Sequence, residues 1–111
     1  MNKQCKLIID TRNSVETTVS LFYEEKEVKK TVQTNHAHSQ AVLPLIEKLL
    51  QDAKLSPSHI QNIEVLVDKG SYTGRRVGVA IATALGTLLS IPVNGKTASD
   101  PIKISYDTNK W

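Results

Sequence analysis

Four small residues, Gly74, Gly78, Ala82 and Gly86, recur every four positions in a stretch whose only side-chain polar groups between Val77 and Leu89 are Thr83 and Thr87. Residues four apart share one face of an α-helix, so the spacing predicts a helix from about Thr73 to Leu89 with a stripe of minimal side chains. A glycine inside a helix costs about 1 kcal/mol relative to alanine. A stripe of them points to a place where another backbone comes close. Val77, Ile81, Leu85, Leu88 and Leu89 form a neighbouring stripe of large side chains. The helix is apolar nearly all round, which is more than one face of a sheet can cover. The expectation is that the large residues pack on the sheet, while the small stripe, with Gly78 and Ala82 at its centre, turns outward to a second protein surface.

The rest of the chain supplies the sheet. KLIID, Lys6 to Asp10, is a β-branched run. ETTVSLFY, Glu16 to Tyr23, alternates with Val19, Leu21 and Tyr23 on one face, and Glu27 to Thr34 alternates again. Arg12-Asn13-Ser14 and the polar gap Glu24 to Lys26 are the turns. Apolar residues at 42, 45, 46, 49, 50 and 53 mark a helix from Ser39 to Lys54, bent by Pro44. IEVLV, Ile63 to Val67, and a short run Ile91 to Asn94 complete the set. The order is β-β-β-α-β-α-β. With the first strand central, right-handed crossovers give a mixed five-stranded sheet of order 3-2-1-4-5, with both helices on one face. On the opposite face Ile8, Phe22 and Leu66 stand among polar residues. The tail Thr97 to Trp111, where Ile102, Ile104 and Tyr106 alternate, is the nearest material to shield them.

Few residues suggest chemistry. In GSYTG no lysine-serine pair follows, as a nucleotide-binding P-loop needs. Gly95-Lys96-Thr97 has the right ending, but Ser90 stands where the first glycine should be. Gly70 is read as a turn and Ser71 or Thr73 as a helix cap. His36 and His38 lack a third metal ligand. Asp10 and Asp68 follow strands that should be parallel neighbours, the frame of a Mg²⁺-dependent, ribonuclease-H-like nuclease; the one glutamate of the first helix, Glu47, is too far along to complete such a site. No catalytic residue, cofactor or metal site is expected on the main reading, and the nuclease stands as the alternative.

The 111 residues imply one domain, and 40% hydrophobic with 23% charged residues imply a globular one. A net charge of +3 with scattered basic residues does not imply direct nucleic-acid binding. Cys5 is the only cysteine, which excludes an intrachain disulfide. The opening MNKQCKLIID is too short an apolar run for a signal peptide and no run suits a membrane span, so a cytoplasmic location is expected.

Three stretches carry a resemblance. LIIDTRNSVETTVSLF, HSQAVLPLIEKLL and, above all, GSYTGRRVGVAIATALGTLLSIPVNG resemble the TsaB (YeaZ) family of bacterial tRNA threonylcarbamoyladenosine biosynthesis proteins over roughly residues 5 to 95. The resemblance implies one ribonuclease-H-like lobe of the actin-like ATPase fold, spanning 1–111 with 97–111 a divergent tail. It implies a non-catalytic subunit that pairs with TsaD, which carries the ATP-dependent chemistry on tRNA, with TsaE as a further ATPase. It also implies a pairing surface on the first two helices that can form homodimers. Transferred by motif, that surface comprises Leu43, Ile46 and Leu50 on the first helix and Arg76, Gly78 and Ala82 on the second. The family's GPGSFTG is DKGSYTG in this chain, its Lys or Gln in the second helix is Thr83, and the resemblance covers one lobe of two, so no inter-lobe nucleotide cleft is expected.

Overall fold

The computed structural model describes residues 4–13, 15–34, 38–68 and 72–95, without the side chains of His38, Ser39, Tyr72 and Thr73. Its elements are β1 (Cys5–Asp10), β2 (Glu16–Tyr23), β3 (Lys26–Gln33), α1 (His38–Ala53), a 3-10 turn (Pro57–His59), β4 (Ile60–Val65) and α2 (Tyr72–Leu89). The turn and cap residues Gly70 and Ser71, His36, Lys96 and the tail 97–111 lie outside the described residues.

The sheet order is β3-β2-β1-β4, with β1 antiparallel to β2 and parallel to β4. This is the expected order for four strands. The expected fifth strand is reduced to one parallel bridge, Ile63 to Val93. The reason is local. Pro92 has no N–H to donate, and its carbonyl instead accepts from Ile63 N at 3.0 Å. One residue beyond the bridge, Asn94 turns out of the strand with φ 51°. Its side-chain amide then takes over from the backbone: Oδ1 accepts from Val65 N at 2.8 Å and Nδ2 donates to Val65 O at 3.0 Å. A side chain thus completes the ladder that a longer strand would have made.

One face of the sheet is fully covered. Leu7, Ile9, Val19, Leu21, Ile63 and Val65 alternate inward and are buried beneath Val42, Leu45, Ile46, Leu49 and Leu50 of α1 and Ala82 of α2. Tyr23 and Val28 are partly buried at the margin of the same core. The apolar positions of α1 fall on one helical stripe and its charged ones on the other side, which fixes the face it buries. The helix continues through Pro44. That ring lies on the exposed side, where water can satisfy the carbonyl it leaves unpaired.

For α2 the expected facing is inverted. Ala82 is fully buried, and Gly74, Gly78 and Gly86 are buried with it. A Cβ on Gly78 would stand 2.5 Å from Thr11 Oγ1 and 3.0 Å from Val65 Cγ2. On Gly86 it would stand 2.5 Å from Val93 Cγ2. The small stripe therefore lies against the sheet and lets α2 settle close to it, while Leu88 is the most exposed large hydrophobic residue among the described residues. The glycines do mark a close approach, but to this chain's own sheet side: Thr11 and Val65 stand against Gly78, and Val93 and the Ile91 carbonyl against Gly86.

Candidate functional site

The two helices lie side by side on the sheet, and two contacts orient them. On α1, Asp52 reaches Lys30 of β3 at 3.7 Å. That flank therefore faces the outer strand, and the opposite flank, with Leu43, Ile46 and Leu50, faces α2. On α2, Gly86 meets Val93 outside β4. At 3.6 residues per turn the opposite flank, with Val77, Ile81 and Leu88, faces α1. The outer surface of the pair is thus a seam bordered by Leu43, 50% exposed, and Leu88, 79% exposed. On α2 the exposed Ala84 and Ala80 lie next to Leu88, and Arg76, also exposed, stands about a third of a turn further round.

Of the six residues expected to meet a partner, Leu43 and Arg76 are open to solvent. Ile46 and Leu50 are buried beneath α1, and Gly78 and Ala82 beneath α2, as parts of this chain's own core. Leu88, expected on the sheet side, lies outside it. The signal was a thin one: Arg76, Thr83 and Thr87 share one side of α2, and all three are exposed.

A second cluster forms where β1 and β4 end. Asp10 and Asp68 come together, as the alternative reading requires, but Arg12 lies between them. Its Nε donates to Asp10 Oδ1 at 3.0 Å and its Nη1 to Asp68 Oδ1 at 2.7 Å and to the Asp68 carbonyl at 3.1 Å. Hydrogen bonding to Asp10, and then the charges of both carboxylates, raise the guanidinium pKa above its ordinary value despite partial desolvation. It is a permanent cation set where a metal would have to bind. Among the described residues no group of three or more His, Cys, Asp or Glu could hold a metal ion. The arginine could have been suspected from the sequence: it stands two residues after Asp10, at the mouth of the expected site. Alongside it, the Thr11 hydroxyl donates to the Gly74 carbonyl and Arg75 Nη1 donates to the Val67 carbonyl at 3.1 Å. The cluster ties the ends of β1 and β4 to the start of α2.

This geometry sits within a wider likeness. A family model described as TsaD, tRNA N6-adenosine threonylcarbamoyltransferase, matches residues 29–95. The chain belongs to this family. Within it the resemblance is to TsaB and YeaZ. TsaB of Bacillus subtilis is 30% identical over 97 residues, which are 86% of this chain and 42% of that protein. TsaB of Haemophilus influenzae is 28% identical over 87 residues, 78% of this chain and 36% of that one. The solved structure of YeaZ from Pseudomonas aeruginosa superposes with a TM-score of 0.75 at 26% identity, over 81% of this chain and 42% of that chain. The fold is thus YeaZ-like, and the chain spans about two fifths of the length of these relatives. No described helix is long and apolar enough to cross a membrane.

Proposed function

We propose that this chain is a non-catalytic, TsaB-like partner subunit in tRNA N6-threonylcarbamoyladenosine biosynthesis, working in the cytoplasm. It acts through the outer seam of α1 and α2, against a TsaD-type subunit or, by the same surface, a second copy. TsaE enters only indirectly, and tRNA is not bound directly. The observation that carries the reading is the pair of exposed leucines, Leu43 and Leu88, bordering two adjacent helices whose other faces already fill the core. Isolated surface leucines are common, but two on the facing flanks of adjacent helices, with the small Ala84 and Ala80 exposed next to Leu88, make a surface suited to burial against another helix pair. The names of the TsaB relatives supply the process. Arg12 between Asp10 and Asp68 weighs against the nuclease, because a guanidinium there neutralises the charge a metal would need.

Co-expression with the TsaD of the same cell, followed by size-exclusion chromatography, tests the reading. Co-elution, or dimers of the chain alone, is expected. A chain that stays monomeric at all concentrations and never co-elutes contradicts it. So does Mg²⁺-dependent cleavage of RNA or DNA that is lost in Asp10→Asn.

A further inference from the structure

Asn94 is the only asparagine of the chain that is followed by glycine. That pair has a chemistry of its own. The backbone nitrogen of the following residue can attack the side-chain carbonyl carbon of an asparagine, and glycine, lacking a side chain, obstructs the attack least. This reaction is one reason that asparagine counts among the thermolabile residues. The other asparagines are followed by Lys3, Ser14, His36, Ile63 and Lys110, each of which carries a side chain.

The structure sets the pair at a joint of the fold. Val93 is buried, stands against Gly86 of α2 and bridges to Ile63 of β4. Asn94 N donates to Ile63 O at 2.8 Å, and the Asn94 side chain closes on Val65, with Oδ1 accepting from Val65 N at 2.8 Å and Nδ2 donating to Val65 O at 3.0 Å. One residue later the chain opens to water. Gly95 is exposed, and no atom of the described residues stands within 4 Å of the position a Cβ would take. A half-buried amide that holds the sheet edge thus adjoins an exposed, unobstructed nucleophile.

We propose that Asn94–Gly95 is a site of spontaneous deamidation, which the clamp on Val65 holds shut in the native fold, and whose conversion releases the segment 91–95 from β4. Water is the only co-reactant. Gly95 N loses its proton and bonds to Asn94 Cγ; the Cγ–Nδ2 bond breaks, Nδ2 leaves as ammonia with that proton, and a five-membered succinimide remains. Water then opens the ring. Opening at Cγ gives aspartate, and opening at the backbone carbonyl gives isoaspartate. Attack turns the planar amide tetrahedral and expels Nδ2, so both bonds to Val65 have to open first. Two such bonds favour the closed form by about ten- to a hundredfold. After conversion a carboxylate oxygen takes the place of Nδ2 and faces the Val65 carbonyl, acceptor against acceptor. Isoaspartate also lengthens the backbone by one carbon beside the Val93 bridge. Either product parts Val93 from β4 and from Gly86.

The test incubates the full chain warm at mildly alkaline pH, native and unfolded in urea, and follows each asparagine by peptide mapping and mass spectrometry. In the unfolded chain Asn94 is expected to convert before any other asparagine, and Gly95→Ala, which there need not fold, is expected to slow it. In the native chain the conversion is expected to be about ten- to a hundredfold slower. Native protein converted at Asn94, separated by ion exchange, is expected to melt at least about 4 °C below the unconverted protein, and Asn94→Asp is expected to reproduce the loss. Another asparagine converting first, a rate unchanged by Gly95→Ala, or equal rates in the native and unfolded chain would overturn the proposal. So would converted protein whose melting temperature is unchanged.

Discussion

Replacing Gly78 by alanine is the smallest change that tests how α2 sits on the sheet. On an exposed helix face the substitution should stabilise the protein by about 1 kcal/mol through helix propensity. Here the new methyl would stand 2.5 Å from Thr11 Oγ1 and 3.0 Å from Val65 Cγ2. Neither neighbour yields easily. Thr11 is fully buried and its hydroxyl donates to the Gly74 carbonyl, one helical turn before Gly78. Val65 is a β-branched residue held in β4 and 1% exposed. Overpacking of this kind costs about 1–3 kcal/mol, and displacing the Thr11 hydroxyl from its acceptor adds about 1–3 kcal/mol. The propensity gain offsets only part of this, so a net loss of about 1–5 kcal/mol is expected. For a domain of this size that lowers Tm by about 4–8 °C per kcal/mol. Thermal and urea unfolding of Gly78→Ala, Thr11→Ala and the double variant form the assay. Because Thr11→Ala removes the closer of the two obstructing atoms, the Gly78→Ala penalty should shrink by at least half in that background. A stabilised single variant, or strictly additive losses, would refute the placement of the glycine stripe against the sheet.

Other consequences follow from the same packing. Ala82→Arg should abolish cooperative folding, read as loss of the thermal transition, because the site is fully buried and offers no counter-charge; a folded, soluble variant would contradict the observed facing of α2. Asn94→Ala should cost about 1–3 kcal/mol in urea unfolding, since it removes both side-chain bonds to Val65. Burial raises the Cys5 thiol pKa above its ordinary value. Its contribution to stability is therefore complete below the unfolded pKa and declines as pH rises toward the folded one. The native protein should resist a thiol reagent at neutral pH and lose stability on the alkaline side of the usual thiol range, a loss absent in Cys5→Ala.

Much of the fold was legible because the strands and α1 are half-buried elements, whose periodicity records which side meets water. The boundaries of β2 and the order β3-β2-β1-β4 follow from that alternation and from crossover handedness. The facing of α2 was misread: glycines permit close approach to a sheet as readily as to a partner helix, and the side shared by Arg76, Thr83 and Thr87 was the mark of the solvent face. The short fifth segment was read as a strand because Ile91 to Asn94 is apolar. What ends it is a side-chain amide acting as backbone, which no propensity records. At the candidate site, motif likeness pointed to the correct pair of helices, while the outward residues were partly misassigned. Leu43 and Arg76 stand where a partner could reach them, and Leu88 joins them because the stripe beside it was turned inward.

The central claim is that the chain works through the seam between α1 and α2. The most direct measurement is size-exclusion chromatography with light scattering on the chain mixed with the TsaD of the same cell, comparing Leu43→Glu/Leu88→Glu with the unaltered protein. Both leucines are at least half exposed, so the double variant should fold with a stability change of about 0.5 kcal/mol or less per site. The account predicts that the unaltered chain forms a complex, or a dimer of its own, and that the folded double variant elutes as a monomer. A folded double variant that retains the complex, while Phe22→Ser on the opposite sheet face loses it, would contradict the account.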